Sequence, residues 1–128
     1  MVPRTFAAIV ILGLISLSLQ DNVNVVQACN KVIQIYYTGA SGLIADLLGK
    51  PHRSARDYNQ GSPIGTYPYY NVTPGDIVGF PGSLHWLAIY VGHAYCPCTF
   101  VDVPYDGANV RCWTQDYGTM MYKYNYPR

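Results

Sequence analysis

Apolar residues follow three rhythms along this chain. From Ala7 to Ile15 they run almost unbroken behind a short start carrying Arg4, then give way to Ser16, Ser18 and polar Gln20, Asp21 and Asn22. That layout is expected of a secretory signal peptide over residues 1–18, because the run is shorter than the ~20 residues needed to cross a bilayer. Next, Cys29, Val32, Ile33 and Tyr36 stand at i, i+3, i+4 and i+7, which predicts a helix over 24–37. Ser41 can cap a second helix through Leu48, closed by Gly49 and Pro51. Residues 50–72, rich in Pro, Gly and Tyr, read as a long surface loop of the kind that often lines a binding site.

After Pro74-Gly75-Asp76 the rhythm changes to short β-rich runs at 77–80, 85–91, 99–103, 108–114 and 120–124, separated by turn residues. Helices first and an antiparallel meander after them is the α+β pattern. Residues 19–128, about 110 in number, suit one domain with its own core. The net charge of +1 gives no electrostatic case for nucleic acid or for an anionic membrane surface, and removal of the signal would leave no membrane segment. Thirteen tyrosines offer flat faces with hydroxyls, suited to saccharide or peptide contact or simply to an uncharged surface.

Four cysteines would enter an oxidising compartment: Cys29, Cys96, Cys98 and Cys112. Cys96 and Cys98 are too close together for an easy mutual bridge. The strands on either side of the 104–107 turn bring Cys98 near Cys112, so that pairing is expected, with Cys96–Cys112 as the alternative. Cys29 is then left over as a candidate nucleophile near a helix start, where free N–H groups favour a thiolate. His85 opens a strand and is its candidate base. A hairpin with a four-residue loop at 92–95 pairs 91 with 96, 89 with 98 and 87 with 100, which sets His85 opposite Asp102. Asp102 could then fix the imidazole tautomer. No metal or organic cofactor is implied, since the Cys96-x-Cys98 spacing fits no common zinc site. Asn71-Val72-Thr73 is an N-glycosylation acceptor triplet.

At these residues the chain resembles the NlpC/P60-like cysteine peptidases and amidases. Cys29-Asn30-Lys31-Val32 is similar to the start of their catalytic helix in some members. Pro74-Gly75-Asp76-Ile77-Val78, followed by His85-Trp86-Leu87-Ala88-Ile89-Tyr90-Val91-Gly92, resembles their central signature, and Phe100-Val101-Asp102-Val103-Pro104 the strand of the third catalytic residue. The resemblance implies a papain-like fold with N-terminal helices packed on an antiparallel sheet. It also implies a Cys29-His85-Asp102 triad that cuts amide bonds in bacterial peptidoglycan stem peptides, as in type VI amidase effectors and their secreted antibacterial relatives. Asn30, Tyr69, Tyr70 and Trp86 are the residues expected to contact substrate, and the protein is expected to act as a secreted monomer. One departure sets up an alternative. Where many members carry Asp-Cys-Ser-Gly-Leu at the nucleophile, this chain has Gly39-Ala40-Ser41-Gly42-Leu43. On that alignment the chain is an inactive, secreted binder of peptidoglycan or saccharide on the same fold.

Overall fold

A computed structural model describes residues 21–65, 70–81, 86–114 and 120–128. The expected signal peptide, His85 and Tyr69 lie outside the described residues. Among the described residues, two helices and a six-stranded antiparallel sheet make an α+β fold. The helices are α1 (Val25–Asn30) and α2 (Gly39–Leu48), and a short 3-10 turn covers Ala55–Asp57. The strands are β1 (Asn59–Gly65), β2 (Ile77–Phe80), β3 (Trp86–Tyr90), β4 (Phe100–Asp102), β5 (Arg111–Trp113) and β6 (Met121–Asn125), ordered β1-β6-β2-β3-β4-β5 across the sheet. Among the described residues no helix is long and apolar enough to cross a membrane.

α1 is much shorter than its apolar spacing predicts. Asn24 caps it by accepting from the Gln27 N–H at 3.0 Å, but the helix ends at Asn30. Ile33 then takes a left-handed backbone (φ 73°), a costly conformation for a β-branched residue. The exchange is visible in the hydrogen bonds: Ile33 N–H donates to Val110 C=O at 2.8 Å, and Val110 N–H donates to Gln34 C=O at 2.7 Å. A run of β-branched and aromatic residues with poor helix propensity has left the helix to pair with a distant strand-like segment.

α2 starts two residues before Ser41, the expected cap, and ends in a Schellman motif. Lys50 N–H donates to Ala45 C=O and Gly49 N–H to Asp46 C=O, with Gly49 left-handed at φ 69°. Its Leu43 and Ile44 are fully buried. They join the cluster that contains Leu87, Ile89, Val101 and Val103, so α2 covers one face of β3 and β4. The opposite face carries Val78, Phe80, Ala88, Phe100 and Met121 with Ile64, in a second cluster flanked by Tyr70, Trp86, Tyr90 and Trp113. The period of two along each strand therefore sorts side chains into two apolar layers, which explains why β3 reads as an almost continuous hydrophobic run.

β1 occupies part of the expected surface loop. Its first five residues are exposed and it pairs irregularly with β6 at the sheet edge, so its sequence lacks alternation and tolerates Pro63.

Two disulfides tie the β3–β4 connection to its neighbours. Cys98–Cys112, the expected pairing, links it to β5 (Cα–Cα 5.2 Å), and Cys29–Cys96 links it to α1 (Cα–Cα 6.0 Å).

Candidate functional site

The head of α2 opens into a groove of about 340 Å³. One wall is the first helical turn, Gly39, Ala40 and Ser41; the other holds Trp86, Leu87 and the 103–106 segment, with His52, Ser54 and Ala55 closing an end. Thr38 precedes the helix but makes no side-chain cap, and the first intrahelical bond there runs from Gly42 N–H to Thr38 C=O at 3.2 Å. The N–H groups of Gly39, Ala40 and Ser41 therefore have no intrahelical acceptor. Glycine at 39 is required: it is left-handed (φ 66°), and a Cβ there would stand 3.2 Å from Asp106 Oδ1. Gly107 N–H donates to Tyr37 C=O at 3.0 Å, which holds the turn bearing Tyr105 and Asp106 against the helix start.

Ser41 Oγ and His52 Nε2 are 3.2 Å apart within the groove, with the Ser41 residue buried and His52 exposed. On the far side of Thr38 and His52 a second cavity of about 470 Å³ is lined by Lys31, Tyr36, Tyr37, Gly42 and Asp46. There Tyr37 Oη donates to Asp46 Oδ2 at 2.8 Å, and burial first, then that bond, raises the Tyr37 pKa above its ordinary value. Tyr36 and Tyr105 are 78% and 69% exposed, so aromatic faces stand free at both cavities.

Of the residues expected from the sequence to act together, Cys29 and Asp102 are not brought to one site, and His85 lies outside the described residues. Cys29 is not a free thiol: it is bridged to Cys96, and all four cysteines are paired. Nor does it stand at a helix start. It is the fifth of the six α1 residues, where the dipole opposes a thiolate. Asn30 ends α1 and lines a separate depression with Gln27, Lys31, Asp46 and Leu47.

Asp102 also departs from expectation. Ile89 pairs with Val101 and Tyr90 with Phe100, a shift of three residues from the expected register. The β3–β4 connection is longer than four residues, because Val91 and Gly92 N–H groups both donate to Thr99 C=O and His93 N–H donates to Cys98 C=O. An odd shift exchanges the faces of the strand. Asp102 consequently shares a face with Trp86 and Ala88, whereas Leu87 and Ile89 point towards α2. The carboxylate is fully buried and accepts from Trp86 Nε1 (2.7 Å), Arg111 Nε (2.9 Å) and Arg111 Nη2 (2.7 Å). Arg111 stacks on the Trp113 ring at 3.9 Å. This is a structural ion pair that braces the β3–β4–β5 end of the sheet.

Trp86 borders the groove, but its ring lies on the sheet face away from α2, stacked on Phe80 with ring centroids 4.9 Å apart. Tyr70 lies on that same face, edge-on to Tyr90 and Phe100 at 6.0 and 5.8 Å. His52, which the sequence places in a loop, and Asp106 also line the groove, and neither carries a sequence signal that marks it as a site residue. Among the described residues no group of three His, Cys, Asp or Glu stands together to hold a metal. The groove can therefore offer hydrogen-bond donors, one carboxylate and aromatic surface to a polar chain. Comparison with protein-family models, with curated proteins and with solved structures found no match.

Proposed function

We propose that the chain is a secreted, non-catalytic relative of the NlpC/P60-like amidases that binds bacterial cell-wall stem peptides in the groove at the head of α2. One observation carries the reading: Ala40, which takes the cysteine's place if Gly39–Leu43 is aligned with the family's Asp-Cys-Ser-Gly-Leu, stands in the first turn of the helix that opens into the groove. A nucleophile there would have had uncapped helix N–H groups beside it; Ala40 has no reactive atom to use them. The alternative nucleophile, Cys29, is held in a disulfide, which supports binding over thiol catalysis.

The groove's chemistry suits a short peptide that carries both an amine and carboxylates. Asp106 offers an anion to an ammonium, and Lys31 in the adjoining cavity offers a cation to a carboxylate. The uncapped helix turn favours a carbonyl or carboxylate oxygen, and the exposed Tyr105 gives an apolar face along the chain. Two bridges suit an oxidising, extracellular setting.

Titration of soluble stem tetrapeptide into the oxidised protein, followed by calorimetry, tests the reading. Saturable binding is expected, weakened about tenfold by Tyr105→Ala through loss of one exposed aromatic contact of about 1.4 kcal/mol. Absence of binding by the wild type, or equal binding by the variant and the wild type, would reject the groove as the site.

A further inference from the structure

The two disulfides touch one another. Cys96 Sγ and Cys98 Sγ, which belong to different bridges, are 3.4 Å apart. Pro97 sits between them in a γ-turn, closed by the Cys98 N–H donating to Cys96 C=O at 2.7 Å. This turn folds the two cysteine backbones towards each other, which removes the sequence-level objection to a Cys96–Cys98 bridge. Access differs sharply along the chain of four sulfurs. Cys98 is 1% exposed, whereas Cys29, Cys96 and Cys112 are half-buried. A thiol arriving from solvent thus meets the Cys98–Cys112 bridge at Cys112.

We infer that the four cysteines form a thiol relay, in which a small thiol captured at Cys112 ends in release of Cys29 as a free thiol. In the first exchange a thiolate attacks Cys112 Sγ; the Cys98–Cys112 bond breaks, a mixed disulfide forms on Cys112, and Cys98 leaves as a thiolate. In the second, Cys98 Sγ attacks the adjacent Cys96 Sγ. A Cys96–Cys98 bond forms, the Cys29–Cys96 bond breaks, and Cys29 carries the electron pair away and takes a proton from water. The incoming thiol is held on Cys112 and one protein thiol appears at Cys29, so the number of disulfide bonds is unchanged and no separate oxidant or reductant is consumed. Contact between the attacking and attacked sulfurs makes the second step intramolecular and fast relative to attack by another small molecule. Cys112 is thereby a modification site for low-molecular-weight thiols such as glutathione, and Cys29 the output.

The oxidised full chain, treated without oxygen with limiting reduced glutathione, quenched in acid and alkylated with N-ethylmaleimide, gives a direct reading by non-reducing peptide mapping. The expected major species carries glutathione on Cys112, maleimide on Cys29 and a Cys96–Cys98 bridge. Glutathione on Cys112 with maleimide on Cys98 and an intact Cys29–Cys96 bridge would overturn the relay, as would glutathione on Cys29 or Cys96. A Cys98→Ser variant should show Cys29 alkylation reduced at least about tenfold at the same thiol dose. Equal alkylation in that variant would mean direct attack on Cys29–Cys96 and would likewise overturn it. Should the variant fail to fold, the wild-type map alone decides.

Discussion

Arg111→Ala separates a bracing role for Asp102 from a catalytic one. Asp102 has no exposure and three side-chain hydrogen bonds, two of them from Arg111. Removing the guanidinium leaves a buried carboxylate with the Trp86 indole as its remaining donor among those three. Breaking a buried pair from one side costs about 3–5 kcal/mol. The Arg111 side chain is 32% exposed, so solvent already screens part of the interaction, and the lower end, about 3 kcal/mol, is the appropriate figure. At about 4 °C per kcal/mol for a domain near this size, the midpoint of thermal unfolding should fall by about 12 °C. Trp86 and Trp113 both contact Arg111 or its partner, so tryptophan fluorescence alongside circular dichroism will follow the transition. Asp102→Leu combined with Arg111→Met should recover much of the loss, since an apolar pair leaves no charge unsatisfied. An Arg111→Ala midpoint within about 2 °C of wild type would refute this account of Asp102.

The bridges should differ in worth. Cys29 and Cys96 are separated by 67 residues and Cys98 and Cys112 by 14, so paired serine replacement should cost about 4 and about 3 kcal/mol respectively in denaturant unfolding. The reverse order would count against the chain-entropy reasoning. Tyr58 is buried edge-on to Tyr126, and among the described residues its hydroxyl meets no hydrogen-bond partner. Tyr58→Phe should therefore stabilise the fold by about 1 kcal/mol at neutral pH. Burial first, and then the Tyr126 and Asp21 charges, raise the Tyr58 pKa above its usual 10. The folded chain keeps a proton that the unfolded chain loses near pH 10, so stability should be complete below that pH and fall as pH rises above it. A Tyr58→Phe profile as steep as wild type in alkaline urea unfolding would contradict this.

The sheet was legible where burial forces a pattern. β2, β3, β4 and the end of β6 announce themselves by short apolar runs between turn residues, because one or both faces meet a core. β1 was not legible, because an exposed edge strand imposes no alternation on Gly61, Ser62 and Pro63. α1 misled by half its length. Ile33 and Tyr36 keep helical spacing yet are 78% exposed, so the spacing there records no buried face.

The site failed for a related reason. Its geometry depended on a hairpin register, and a register is fixed by backbone bonds and cross-links within the 91–99 connection rather than by any residue type in β3 or β4. Cys29 could be read as chemically poised only while its partner was unknown. Its spacing to Cys96 carries no signature, since sequence does not determine disulfide connectivity. The Gly39–Leu43 segment told more: its small residues are those that let a helix start beside Asp106 and face the groove.

Purified peptidoglycan incubated with the oxidised protein in the absence of added thiol, followed by analysis of both pelleted protein and released fragments, addresses the central claim. The account predicts that the protein is retained in the pellet and that the fragment profile matches the buffer control. Release of stem-peptide fragments by the wild type, abolished by Cys29→Ser, would contradict it.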